Sequence, residues 1–399
     1  MTDQSAALTT AALTAAAKPA RAGNSLIEQV ARKSGVSPFR QFADIFRLKG
    51  GKTLLTAKEY YEYQVYDPSL TPARKREFVG EKGSFALNVR LAPPGLTNMR
   101  NFLADKVGLT AMLGGLGLKT TRMQAGFAPN RGFGALPTLR SPADVVRFLT
   151  TEARYPLFGK PVRGSGSFGS VLIRKLDGMM ATLGNGQTIS VSKLAEEVAA
   201  NLTYGYIFQD AVAPHPDVVA LTGSQTLSTV RVVTVNHDDT PQVLYTLWKL
   251  PGPTAMSDNF WQKGSLIALV EPTSGRVEKI RYGSGPDTQW VQSHPVTGTP
   301  LQGATLPCWQ SVRDLALAAH ATVPDNGILG WDIAITPQGA VMIECNENTG
   351  HGLYQLASGR GILNADFLPV FDQITARNTR ILQAFETKRR AYQKAKAQF

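Results

Sequence analysis

The chain has 399 residues, 43% of them hydrophobic and 18% charged, with a formal net charge of +12. That length supports two or three cored domains, and that balance predicts a chain that is mostly globular and soluble. No apolar run approaches the ~20 residues a membrane span needs, and the Ala/Thr-rich stretch 5–17 lacks the positive flank of a secretory signal. Two cysteines, Cys308 and Cys345, make neither a disulfide framework nor a metal-ligand spacing, so a reducing cytoplasm is the expected home. The positive charge suits an anionic partner such as a nucleotide, an acidic substrate, nucleic acid or a membrane surface, and does not choose among them.

Residues 1–22 are small, polar and aperiodic and read as a disordered tail. A helical N-terminal region follows over 23–84. Ser25 and Glu28 form a capping box ahead of Gly35, and Thr56 with Glu59 forms another before Tyr60, Tyr61 and Tyr63. Ser37 and Pro38 suit N-cap and N1, with Phe39, Phe42, Ile45 and Phe46 at helical spacing as a packing face. A subdomain of mixed α/β character is expected over 85–140, with a helix from Asn101 to Leu118 that ends in Gly114–Gly117. Ser141, Pro142 and Asp144 start the next unit, 141–208. From residue 155 short β-rich runs dominate: 157–162, 170–175, 229–235, 242–248, 265–270, 331–335 and 340–344. They are divided between 141–208 and a larger lobe, 209–370. The terminal segment 371–399 reads as a basic helix: residues 374–399 hold seven Lys/Arg and one acid, Glu386, with Ile374, Ile381, Phe385 and Tyr392 as its packing stripe.

Residues 164–169 read Gly-Ser-Gly-Ser-Phe-Gly. A dinucleotide loop of that pattern must open a helix. Here Ser170-Val-Leu-Ile-Arg-Lys follows, which reads as a strand, so the unit is a hairpin and the Rossmann reading fails. A protein-kinase glycine loop is also a hairpin, but that family needs His-Arg-Asp and Asp-Phe-Gly, and neither tripeptide occurs. A hairpin whose backbone N–H groups cover phosphates remains, with Lys160 on the incoming strand. The bland alternative is a glycine-rich surface turn beside a solvated lysine.

Further on, Gly330-Trp-Asp332-Ile-Ala-Ile and Val341-Met-Ile-Glu344-Cys-Asn346 are two apolar strands joined by the turn Thr336-Pro-Gln-Gly339. Asp332, Glu344 and Asn346 are hard oxygen donors of the kind that hold Mg²⁺ against phosphates. Glu344 and Asn346 share one strand face, and Cys345 points to the other.

Lys160-Pro-Val-Arg-Gly-Ser-Gly-Ser-Phe-Gly and Asp332…Glu344-Cys-Asn346 together resemble the ATP-grasp superfamily, most closely its sugar-transfer-associated family, near the RimK and tubulin-tyrosine-ligase types. Thr229-Val-Arg-Val-Val-Thr and Gly330-Trp-Asp-Ile are similar to segments of that family, as is Tyr60-Tyr…Tyr66-Asp-Pro. The likeness covers roughly 55–370. It implies an α+β ATP-grasp fold of two lobes clasping ATP, with a helical N-terminal region and a C-terminal helix.

By resemblance, Lys106 and Lys160 are the two nucleotide lysines, and Gly164, Ser165, Gly166, Ser167, Phe168 and Gly169 form the phosphate loop. Gln209 and Val212 lie at the adenine hinge, where the family more often has Glu in place of Gln209. Arg231 and Lys249 act at the transferring phosphate; RimK-type ligases carry an arginine where Lys249 stands. Asn259 belongs to an N…G-G segment whose second glycine is Ser265 here. Asp332, Glu344 and Asn346 bind Mg²⁺, with Mn²⁺ a substitute. The implied activity is an ATP-dependent carboxylate–amine ligase working through an acylphosphate. An ATP-grasp phosphotransferase and a non-catalytic nucleotide-binding module stay open. The expected partners are ATP, a carboxylic acid and an amine or hydroxyl acceptor, without nucleic acid or a transmembrane segment. His351 is placed to touch substrate or to lie on the surface, His215 either reaches ribose or, as Pro214 and Pro216 suggest, simply sits in a rigid loop, and the basic C-terminal helix offers peripheral association with an anionic surface.

Overall fold

The computed structural model describes residues 26–396 apart from 98, 165, 201–203 and 254. The tail, Ser25 of the first capping box, and Ser165 of the glycine loop lie outside the described residues. Two seven-stranded sheets carry the body. The first has the order β2-β1-β7-β3-β4-β5-β6, built from β1 (Met123–Phe127), β2 (Thr138–Leu139), β3 (Leu157–Pro161), β4 (Val171–Asp177), β5 (Met180–Leu183), β6 (Thr188–Ser190) and β7 (Tyr206–Asp210). The second has the order β12-β11-β10-β9-β8-β13-β14. Its strands are β8 (Thr229–Val235), β9 (Gln242–Leu250), β10 (Leu266–Val270), β11 (Val277–Tyr282), β12 (Gln289–Val291), β13 (Ile328–Thr336) and β14 (Gly339–Asn346). The stretch 85–140 adds β1 and β2 to the sheet of the glycine hairpin instead of building a sheet of its own.

The second sheet is covered on both faces. Helices Lys106–Gly115 and Trp309–Ala321 lie over one face, around Trp248, Trp331 and Val312. Helices Glu81–Leu91 and Gly352–Ser358 and the start of Leu368–Lys396 lie over the other, around Tyr245, Phe371 and Ile374. A strand buried on both sides reads as a near-continuous apolar run instead of an alternating one. Every residue of β8 and β13 is accordingly buried, including the two charged ones, Arg231 and Asp332.

The sequence-predicted helix 101–118 is two helices. Arg100–Leu103 ends, and Asp105 then caps Lys106–Gly115 by accepting from the Gly108 N–H at 3.0 Å. Asparagine and aspartate favour such caps because their side chains compete for nearby backbone N–H groups. The break sets Lys106 at the first turn of its helix. The C-terminal stripe is also shorter than its spacing suggests. Ile374 is buried and Ile381 half-buried, while Phe385 and Tyr392 are exposed. Among the described residues no helix is long and apolar enough to cross a membrane.

The N-terminal helices have their own small core of Val30, Leu55, Tyr60, Tyr61 and Phe78. They are clamped to the body where backbones meet: the Leu363 N–H donates to Glu77 O at 2.9 Å, and Gln355 bonds both the N–H and the carbonyl of Val79. Gly361 permits this approach, since a Cβ there would stand 1.9 Å from the Glu77 carbonyl carbon. Backbone cannot yield as a flexible side chain does. Gly361→Ala is therefore expected to lower unfolding stability by about 3 kcal/mol or more, measured by denaturant melts. A wild-type midpoint in that variant would mean the clamp is not tight.

Candidate active site

A cavity of about 450 Å³ opens between the two sheets. One wall is the β3–β4 hairpin, the strand–loop–strand unit expected from Ser170 onward, with β3 and β4 antiparallel. Gly166 and Gly169 take positive φ (68° and 74°), as does Ser167 (57°), giving a tight loop. Tyr206 on β7 fastens its base by donating to Gly169 O at 2.7 Å, and its ring lies where a Cβ on Gly159 would be, 2.7 Å away.

Two lysines reach into the space under this loop. Lys106 Nζ donates to Gly164 O at 3.0 Å and stands 3.5 Å from Glu344 Oε2. Lys160 on β3 is buried, and its Nζ donates to Ile343 O at 3.3 Å. Burial brings the Lys160 ammonium down from 10.5 to about 8, with Glu344 opposing that shift and Lys106 adding to it.

The opposite wall carries the acidic hairpin. Asp332 on β13 pairs in register with Arg231 on β8 and with Glu344 on β14, and a bulge follows Asp332. Arg231 grips the Asp332 carboxylate with both arms of its guanidinium fork, Nε to Oδ1 and Nη2 to Oδ2, the latter at 2.9 Å. Lys249 on β9 stands 3.0 Å from Asp332 Oδ2 and also 3.0 Å from Asp258 Oδ2. Burial opposes charge on all three groups. The paired charges prevail, so the Asp332 carboxyl is held well below its usual range, while Arg231 and Lys249 rise.

Of the residues singled out from the sequence, Lys106, Lys160, Gly164, Ser167, Phe168, Gln209, Val212, Asp332 and Glu344 line the cavity. Gln209 is buried on β7, and its Oε1 accepts from the Thr121 hydroxyl at 3.2 Å. Arg231 and Lys249 stand behind Asp332. Asn346 is adjacent, its Nδ2 3.4 Å from Asp332 Oδ2. Asn259 is not a wall residue: its amide reaches across from the second lobe and donates to Gly166 O at 2.7 Å, tying the loop tip to the opposite sheet. Removing that tie by Asn259→Ala should raise the KM for ATP about three- to tenfold with a smaller change in kcat, on the net worth of one such bond. Steady-state kinetics decide it, and an unchanged KM would leave Asn259 without a part in loop closure.

Neither His351 nor His215 lines the cavity. His351 is buried away from the cavity, its Nδ1 3.0 Å from the Tyr245 hydroxyl and its Nε2 3.1 Å from Asn88 Oδ1. Burial brings it down to about 3. It joins the second sheet to the N-terminal helices and does not line the cavity. His215 caps helix Pro216–Thr222, accepting the Asp217 N–H at 3.1 Å, and the cavity wall stops at Pro214. Cys345 is buried in the core, and its thiol is pushed up accordingly.

The sequence reading missed Asp258, which lines the cavity, and the apolar walls Pro156, Phe158, Leu172, Leu227, Met256 and Ile343, the flat surroundings an adenine ring fits. Asp258 adjoins Asn259, yet nothing in a loop tells which carboxylate faces inward.

The donor set fits a hard divalent cation. Asp332 and Glu344 offer oxygen donors from paired positions on adjacent strands lining the cavity, Asn346 adjoins them, and Glu344 keeps part of its carboxylate open to the space.

A family model described as sugar-transfer associated ATP-grasp matches residues 99–368, more than half of the chain. No curated protein matches. Among solved structures, the chain is similar to the D-alanine-D-alanine ligase from Coxiella burnetii (10% identity, 74% of this chain and 62% of that one, TM-score 0.40). It is similar also to an L-amino acid ligase from Bacillus licheniformis (12%, 64% and 43%, 0.37) and to VanG D-Ala:D-Ser ligase from Enterococcus faecalis (13%, 70% and 62%, 0.37). The chain thus spans less than two thirds of the length of each of these. The matched region takes in the whole of both sheets, the glycine hairpin and the acidic hairpin, and with it the chain belongs to the sugar-transfer associated ATP-grasp family.

Proposed function

We infer that the chain is an ATP- and magnesium-dependent ligase that joins a carboxylate to an amine through an acylphosphate. One observation carries the reading: Lys106 and Lys160 meet the carboxylates Asp332, Glu344 and Asp258 on a cavity walled by the glycine hairpin, with Arg231 and Lys249 directly behind Asp332. Buried cations held by carboxylates can exchange those partners for phosphate oxygens, provided that a divalent cation neutralises the carboxylates they leave.

In this reading Lys106 and Lys160 hold the phosphates beneath the hairpin, and the apolar walls and the Gln209–Val212 segment receive the adenine. A substrate carboxylate oxygen attacks the γ-phosphorus, and the bond from that phosphorus to the β–γ bridging oxygen breaks, releasing ADP. Arg231 and Lys249 stabilise the charge on the transferring phosphoryl group and then on the acyl oxyanion. The amine attacks the acyl carbon, loses a proton, and expels inorganic phosphate. Asp258 and Asp332 together hold Lys249 in position. Closure of the hairpin, with Asn259 on Gly166, excludes water that would hydrolyse the intermediate. Mg²⁺ held by Asp332, Glu344 and Asn346 supplies charge neutralisation at the phosphate oxygens.

Phosphoryl transfer to a hydroxyl would use the same nucleotide half of the site. Transfer to a histidine of the chain has less support, since among the described residues no histidine lines the cavity. The test is ATP turnover against panels of acids and amines supplied singly and together. A ligase releases ADP and phosphate only when both are present. ADP formation with a hydroxyl compound alone, with phosphate retained on it, would overturn the ligase reading.

A further inference from the structure

The helix Pro38–Leu48 presents its aromatic residues to solvent. Phe39, Phe42 and Phe46 are 84%, 59% and 83% exposed. Their spacing, i, i+3 and i+7, sets them on one face. This orientation is fixed from the other side. Gln41 is fully buried, its amide donating to Val36 O at 2.7 Å and Ile27 O at 3.1 Å while its Oε1 accepts from the Tyr61 hydroxyl at 2.8 Å. Leu48 is buried beside it and Ser37 caps the start. Rolling the helix to hide the phenylalanines would break three buried hydrogen bonds.

The flank of that face is cationic. Arg40 and Arg47 are exposed one helical step beyond the phenylalanines, with Lys49 and Lys52 exposed just after the helix. A groove of about 240 Å³ runs between this helix and Leu70–Lys75, walled by Arg40, Arg47, Asp44 and Lys75. Asp44 is already taken, 2.5 Å from Lys75 Nζ. Among the described residues no carboxylate lies within ion-pair distance of Arg40 or Arg47.

We propose that this face docks on an anionic lipid surface, with Phe39, Phe42 and Phe46 entering the boundary between headgroups and acyl chains and the groove beside Arg40 and Arg47 receiving a lipid phosphate. Large aromatics flanked by arginines on an otherwise packed helix are what an interfacial helix needs. Charge decides against a second copy of this chain as the occupant. Two such faces would bring four unpaired arginines together in molecules that each carry +12.

The experiment is sedimentation of the full chain with vesicles of phosphatidylcholine alone and of phosphatidylcholine with phosphatidylserine. Wild type should sediment with the anionic vesicles and be released at high salt. The variant Phe39→Ser/Phe42→Ser/Phe46→Ser should bind at least about tenfold more weakly with a nearly unchanged melting temperature, because the replaced side chains are mostly exposed. Arg40→Gln/Arg47→Gln should lose the preference for anionic vesicles. A third variant, with Lys388, Arg389, Arg390, Lys394 and Lys396 changed to Gln, separates this face from the basic C-terminal helix and should keep most of the phenylalanine-dependent binding. Equal sedimentation of wild type and the triple-serine variant overturns the proposal. So does absence of wild-type binding, or a wild-type dimer that the serines dissociate.

Discussion

The affinity of the chain for ATP is expected to fall about thirtyfold between pH 7 and pH 9.5, and the Lys160→Arg variant is not expected to follow it. Lys160 is a buried ammonium brought down to about 8, and it lines the cavity walled by the glycine hairpin, where the proposed reading puts the phosphates. Only its protonated form attracts a polyanion, so above that pH binding must also take up a proton. Calorimetry in buffers of different ionisation enthalpy reads this directly as proton uptake approaching one per ATP at pH 9. The unliganded protein should respond in the opposite sense. A base whose folded value lies below its ordinary 10.5 leaves the unfolded chain holding more protons between about 8 and 10.5. The contribution to stability is therefore full above that window, declines as pH falls through it, and is lost below about 8. Arginine keeps its charge throughout, so Lys160→Arg should flatten both curves. Affinity in the wild type that does not vary from pH 7 to 9.5 would remove Lys160 from the phosphate site.

The glycine hairpin and the acidic hairpin are legible in the sequence because each is local. The turn between β3 and β4 is written in closely spaced glycines, Gly164, Gly166 and Gly169, and the placement of Asp332 opposite Glu344 follows from two apolar strands and a short turn. What the sequence does not announce is long-range. Asp258 lies 74 residues before Asp332 and shares Lys249 with it, a relation that only the order β9-β8-β13 creates. His351 follows the metal strand closely enough to suggest substrate contact, but its partner Asn88 comes from the N-terminal helices, 263 residues away, and draws it into the interior. Helical spacing misleads at Phe39, Phe42 and Phe46 and again at Phe385 and Tyr392, because periodicity states that residues share a face and not whether anything covers it.

Asp332 and Glu344 are expected to separate under mutation, although both are counted as ligands. Asp332 is 2% exposed at its side chain and neutralises Arg231 and Lys249, both buried. Asp332→Asn leaves Arg231 without a carboxylate, and Lys249 with Asp258 alone. Removing one member of a buried ionic cluster destabilises strongly, here by about 3 kcal/mol, the low end of the usual range because Asp258 remains. ATP should then raise the melting temperature of Asp332→Asn more than that of wild type, since its phosphates supply the missing negative charge to the same cations. Glu344 is 25% exposed at its side chain, and its one ion-pair partner among the described residues, Lys106, is 3.5 Å away. Its amide therefore costs under about 1 kcal/mol of stability. Turnover should nevertheless fall by about a hundredfold or more, because the carboxylate faces the reacting phosphates where charge develops. Thermal melts with and without ATP, set beside ADP release, test the pair together. If Glu344→Gln melts far below wild type, Glu344 is part of the structural cluster. If Asp332→Asn melts like wild type with or without ATP, Arg231 and Lys249 do not depend on Asp332, and the exchange of carboxylate for phosphate on which the reaction scheme rests has no basis.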